Sequence, residues 1–174
     1  MSARDNWEQA AERSEVYRML AVAFSYTGAQ SSEFGIDGAD YNEAFDPSVG
    51  DKACSLREGA HVEDDQSALF EELVRFYEFF GLARGDAAEM PDHLSVELEF
   101  MHFLTHLESR AADRPDDLAS IRRAQHDFIT RHLCRLMRGL KNGFNSPNPQ
   151  CVELVATCAE FIDSELDQLR TNTQ

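Results

Sequence analysis

The stretch EMPDHLSVELEFMHFLTHLESR, residues 89–110, decides how the rest of the chain is read. Leu94, Leu98, Met101, Leu104 and Leu107 recur three or four residues apart, the spacing that lines one face of an α-helix. Pro91 restricts the approach to that run, and Asp92 stands where a side-chain oxygen would cap the free N–H groups of the first turn. The spacing therefore predicts a long helix from Asp92 to about Ala112.

Working outward, the same period appears on both sides. Trp7, Ala11, Ser14, Tyr17, Leu20, Ala21 and Phe24 mark a helix over residues 5–26, with Gly28 behind it. Leu69, Phe70, Leu73, Val74, Phe76, Tyr77 and Phe80 mark a second long helix from Ser67, stopped by Gly81. A fourth begins at Pro115 and carries Leu118, Ile121, Phe128, Ile129, Leu133, Leu136, Met137 and Leu140 towards Asn142 and Gly143. A last one follows Asn148 and Pro149, with Val152, Val155, Cys158, Phe161, Ile162, Leu166 and Leu169 inward. Between the first two lies Thr27 to Gln66, rich in Gly, Ser and Asp, which reads as a long connection with one short helix at Tyr41 to Phe45. A connection of that length is expected to be functional or partly mobile. No strand alternation and no repeat appear, so the expected fold is all-α: a single-domain antiparallel bundle of five long helices over residues 1–174.

Composition excludes several functions. With 32 acidic against 16 basic residues the formal charge is −16, which repels a phosphate backbone, so nucleic acid is a poor partner. The surplus suits a basic partner, and a salty host cytoplasm would give the same bias. No stretch is long and apolar enough to span a membrane, and the polar start MSARDNWEQAAERSE lacks the basic and apolar regions of a secretory signal, so a cytoplasmic location is expected. Cys54, Cys134, Cys151 and Cys158 form no C-x-x-C pair and read as reduced thiols.

Three chemistries compete for residues 89–110. Glu99 and His102 have the Glu-x-x-His spacing of di-iron bundles, with His106 one turn on, and Glu58 and His61 repeat it. Gly59 breaks the second pair, and two further carboxylates would be needed, so no metal or other cofactor is expected. His93 beside Asp92 or Glu97 could serve a hydrolytic nucleophile, but no nucleophile signature accompanies them and no catalytic residue is assigned. A purely structural role for Asp92 as a cap, with Glu97 and Glu99 facing water or a buried donor, is the plainest reading.

The segment PDHLSVELEFMHFL also resembles the signature of the TorD-like family of molybdoenzyme maturation chaperones, which includes the nitrate reductase delta subunits. The matching positions are Glu89, Pro91, Asp92, His93, Glu97, Leu98, Phe100 and Met101. YRMLAVAF is similar to the family's first helix, and FITRHL to its Phe-x-x-x-His-Leu element, with Phe128, His132 and Leu133. Relatives often carry a Trp shortly after that pair, where this chain has Leu136 and Met137. The segments AFDPSVGDKACSLREGAH and SALFEELVRFYEFFGL resemble most the branch serving periplasmic nitrate, selenate, chlorate, dimethyl-sulfide and ethylbenzene enzymes.

The resemblance implies a cytoplasmic, non-enzymatic protein that binds the apo catalytic subunit of a molybdopterin oxidoreductase, or its twin-arginine signal peptide. It would assist cofactor insertion and delay export, as a monomer or a domain-swapped dimer. A stable accessory subunit that stays with its enzyme is the alternative, and a metal-binding helical-bundle enzyme ranks behind both. A leader with two arginines and an apolar stretch needs an apolar groove beside carboxylates. Phe76, Tyr77 and Phe80 are expected to line that groove around Pro91 and His93, with Asp92, Glu97 and Glu99 facing the arginines.

Overall fold

The computed structural model describes residues 3–172, with side chains from residue 8 onward. Helix α1 (Ala3–Ala23) buries Tyr17, Leu20 and Ala21 on the expected face, with Phe24 just beyond its end; the side chain of Trp7 lies outside the described residues. The helix stops three residues before the predicted end because Ser25 closes a turn: its hydroxyl donates to the Val22 carbonyl at 2.8 Å and accepts from the Gly28 N–H at 3.0 Å.

The long connection is a packed layer. Helix α2 (Gly38–Phe45) starts three residues earlier than the spacing indicated, because the Asp37 carboxylate caps it by accepting from the Asp40 N–H at 2.9 Å. Phe34, Ile36, Tyr41, Phe45, Cys54 and Leu56 are all buried, and the Tyr41 hydroxyl donates to the Phe24 carbonyl at 2.7 Å. These apolar residues are spaced too irregularly for a helix or strand period, which hid their common destination.

Helix α3 (Gln66–Phe79) is capped by Asp65. It ends at Gly81, whose φ of 79° lets the Leu82 and Gly81 N–H groups return to the Tyr77 and Glu78 carbonyls. Helix α4 (Leu94–Arg110) is the central rod, antiparallel to α1, with Leu94, Leu98, Phe100, Met101 and Leu104 all buried. The predicted fourth helix is two: α5 (Pro115–Phe128) and α6 (Cys134–Gly143), joined without a break by one π-helical turn, Ile129–Leu133. There the Cys134 N–H reaches back five residues to the Ile129 carbonyl. Helix α7 (Pro149–Asn172) follows the Asn148 cap, which accepts from the Cys151 N–H at 3.0 Å.

Buried apolar side chains from all seven helices form one connected core. At its far end sits an ionic knot that hydropathy could not reveal. Arg13 of α1 donates to Glu165 of α7 at 2.8 Å, Glu108 of α4 at 3.0 Å and Gln125 of α5 at 2.8 Å, and Arg122 adds a bond to Glu108 at 2.8 Å. Every guanidinium nitrogen of Arg13 is matched to an acceptor, the condition under which burying a charge is tolerable.

Candidate functional site

The sequence around residues 89–94 is held by the chain thirty-odd positions upstream. The Leu94 N–H donates to the Leu56 carbonyl at 2.8 Å and the Glu58 N–H to the Asp92 carbonyl at 2.9 Å, a short antiparallel bridge between Arg57 and His93. Asp92 is not the cap of α4. Its fully buried carboxylate accepts from Arg57 Nε at 2.9 Å and from the Gly59 N–H at 3.0 Å. The cap is His93, whose Nδ1 accepts from the Ser95 N–H at 3.2 Å and lies 2.8 Å from Ser95 Oγ. Burial lowers the His93 pKa against the opposing pull of Glu89 and Asp92, which keeps the imidazole neutral and its Nδ1 free to accept.

Glu97, expected to face a leader's arginines, or else water or a buried donor, is fully buried, and among the described residues neither of its oxygens meets a donor. Burial, and then the facing Glu58 carboxylate, push its pKa well above the ordinary value, so Glu97 keeps its proton. Glu58 accepts from His132 Nδ1 at 2.9 Å and lies 3.4 Å from Arg135 Nε. Arg135 continues to Asp64 at 2.7 Å, while Arg131 holds Glu72 at 2.6 Å, so the chain of charge runs from a dry interior to the surface. His132 sits in the π turn, where Phe128, Ile129, His132 and Leu133 are all buried on the inner face. Close approach is secured at Gly139, because a Cβ there would overlap the ring of His61, which itself donates from Nε2 to the Ser55 carbonyl at 2.7 Å.

The two Glu-x-x-His pairs are kept apart. Glu99 is exposed, His102 is engaged with Ser14 at 2.9 Å, and Glu58 and His61 have the separate partners just described. Among the described residues no three His, Cys, Asp or Glu side chains converge as metal ligands would. Asp92, turned to Arg57, does not orient His93 as a catalytic carboxylate would.

Above this braced floor stands a cluster of rings. Phe100 meets Phe128 at 4.7 Å and Tyr77 at 5.0 Å, Phe76 meets Phe128 at 5.3 Å, and the Tyr77 hydroxyl donates to the Pro91 carbonyl at 2.7 Å. Two grooves flank the end of α3. One, of about 520 Å³, runs between the 82–89 linker and the start of α4, with Tyr77, Leu82, Val96, Phe100 and Phe103 as walls and Glu89 and Glu99 on its edge. The other, of about 490 Å³, lies between α3 and α5 and is lined by Phe76, Phe80 and Phe79, the last 83% exposed.

The expected site residues are thus divided. Tyr77 and Glu99 line the first groove, Phe76 and Phe80 the second, and Pro91, Asp92, His93 and Glu97 lie beneath as supports. Asp92 and Glu97 cannot face a ligand's arginines, because loop 54–61 covers both and Arg57 already occupies Asp92. Glu89 provides the acid on the linker side; it stood in the motif but not among the expected contacts. Phe103, three residues after Phe100, was legible as part of the same helical face.

Residues 17–140, well over half the chain, match the model of the family described as nitrate reductase delta subunit. The chain is 32% identical over 133 residues to the selenate reductase assembly chaperone protein of Thauera selenatis, covering 75% of this chain and 69% of that protein. It is 30% identical over 173 residues to the chlorate reductase assembly chaperone protein of Ideonella dechloratans, covering 91% and 90%. The dimethyl sulfide dehydrogenase assembly chaperone protein of Rhodovulum sulfidophilum is 38% identical over 104 residues, 55% and 42% of the two chains. The matched span includes the PDHLSVELEF segment, the aromatic cluster and the His132 brace, and on that ground the chain belongs to the nitrate reductase delta subunit family.

Proposed function

We propose that the chain is a cytoplasmic assembly chaperone that binds the apo catalytic subunit of a molybdenum oxidoreductase through its twin-arginine leader, assists cofactor insertion and delays export. It acts by binding and release, without catalysing a reaction. The observation that carries this reading is the groove between the 82–89 linker and α4. Its walls are aromatic and aliphatic, and its edge presents Glu89 and Glu99, the latter exposed and in no ion pair among the described residues. An apolar leader stretch would lie against Tyr77, Phe100 and Phe103, and its arginines would meet the two carboxylates. The names of the relatives, each an assembly chaperone of a reductase or dehydrogenase, support the client class.

Release requires moderate affinity, on the order of micromolar or about 8 kcal/mol. Exposed ion pairs supply at most about 1 kcal/mol each and weaken with salt, so most of it must come from apolar burial. Titration calorimetry with a synthetic peptide carrying an Arg-Arg pair and an apolar stretch, and with its Ala-Ala counterpart, separates the two contributions at low and high salt. Glu89→Ala and Glu99→Ala are expected to weaken the Arg-Arg peptide several-fold with unchanged melting. Asp92→Ala is expected to cost about 2–3 kcal/mol of stability instead, because it leaves the Gly59 N–H and Arg57 without their acceptor. Binding indifferent to the arginines, the apolar stretch and both groove carboxylates would overturn the reading.

A further inference from the structure

A third cleft, of about 320 Å³, opens between α6 and α7, away from both grooves. Met137, Ala159, Ile162 and Leu166 form its floor. Its rim carries Arg138, Lys141 and Arg170 against a single acid, Asp163. That balance runs opposite to the molecule, whose formal charge is −16.

Neither of the other two grooves shows it to that extent. The first sets one cation, Arg84, against Glu89 and Glu99; the second sets Arg75, Arg123 and Arg131 against Glu72 and Asp127, with Arg75 and Arg131 paired to Glu71 and Glu72. In the α6–α7 cleft, Arg138 and Lys141 have neither ion-pair nor hydrogen-bond partner among the described residues, and Arg170 comes only within 3.9 Å of Asp167, with both side chains mostly exposed. Sequence explains the concentration. Between Leu118 and Val152 the only acid is Asp127, while Arg122, Arg123, Arg131, Arg135, Arg138 and Lys141 are all basic. Arg122 and Arg135 turn inward to Glu108 and Glu58, which leaves Arg138 and Lys141 at the cleft.

In a protein with two acids for every base, leaving cations unpaired around an apolar floor concentrates positive potential where a concave wall focuses it. The size suits a small molecule, standing at the low end of the range of about 300–1,000 Å³ for such pockets. A guanidinium offers paired donors and an ammonium a point charge, a combination matched to phosphate oxygens. We propose that the α6–α7 cleft binds a small phosphate ester, with Arg138, Lys141 and Arg170 on the phosphate and Met137, Ile162 and Leu166 against an apolar or aromatic body. This site is separate from the leader groove and stands whether or not that groove holds a leader.

The cleft contains its own reporter. Cys134 lines it and is the one cysteine of the four that is not fully buried. Burial raises its thiol pKa, so it reacts slowly and its rate is sensitive to what covers it. The rate of Cys134 alkylation by iodoacetamide in the reduced full-length chain is to be followed with phenyl phosphate, inorganic phosphate or phenol at equal ionic strength, with Cys134→Ser identifying the signal. Phenyl phosphate is expected to slow alkylation several-fold, phosphate less and phenol least, and Arg138→Glu with Lys141→Glu, both at exposed positions, to abolish the effect. Equal protection by phenol, protection that survives the charge reversal, or protection by an acidic peptide but by no small phosphate would each overturn the proposal.

Discussion

Glu97 is a carboxyl group placed where it cannot be charged cheaply, and its titration has a definite sign. Its folded pKa lies above the ordinary 4.5, so the stabilising state is the protonated one: stability is fully present below about 4.5 and is lost as pH rises through the folded value. His93 works in the opposite sense. Its folded pKa lies below 6.5, so stability is present above that value and is lost as pH falls through the folded one. Glu97→Gln keeps a neutral side chain of the same shape without the titration, and its melting temperature is expected to decline less than that of the wild type as pH rises from about 5 to 8. His93→Asn, which preserves a capping acceptor, is expected to lessen the loss on the acid side. Parallel pH dependence in the wild type and both variants would contradict these protonation states. The identity of these residues as a special group was legible in PDHLSVELEF, but their burial was not. Asp before an apolar helical run is ordinarily a cap, and only the distant Arg57 and Gly59 turn this one inward.

At the level of elements, the helices on either side of α4 were legible because each carries a sustained apolar stripe and a capping residue, as in Asp65 before α3 and Asn148 before α7. The π turn at Ile129–Leu133 was not, since FITRHL is compatible with unbroken α-helix, and only the convergence of His132 on Glu58 and Phe76 distinguishes it. Loop 54–61 and α6 are likewise matched by a contact between residues remote in sequence. Gly139→Ala would by propensity favour the helix by up to about 1 kcal/mol, yet its Cβ meets His61, and a clash of this kind typically costs about 1–3 kcal/mol. The expected result is a net loss of thermal stability with a shifted His61 ring resonance. A gain in melting temperature with His61 unmoved would mean that the loop is not seated on α6 in solution.

For the molecule as a whole, the excess of carboxylates is partly internal. Glu58, Glu97, Glu108, Glu165 and Asp92 are buried, and most serve Arg or His partners. The formal charge therefore overstates what a ligand meets, and the acid-edged groove and the basic cleft differ more than the average suggests. Arg13→Met is expected to destabilise the fold by about 3–5 kcal/mol by leaving Glu108 and Glu165 buried without their cation. Chemical denaturation measures this directly, and a change below 1 kcal/mol would show that water reaches the knot and replaces the guanidinium.

That knot also sets an order of events during biosynthesis. Arg13 and Glu165 are 152 residues apart, so at about 5–20 residues per second the ribosome delivers the acceptor roughly 8–30 s after the guanidinium. Until then Arg13 has only Glu108 and Gln125 to turn to, and α1, already laid along α4, lacks the cover that Phe161 gives Tyr17. The nascent protein must pass through a stage in which six of its seven described α-helices are made while the seam between α1 and α7 is still open, and a stalled chain that lacks α7 would expose that unfinished seam to whatever meets nascent polypeptides.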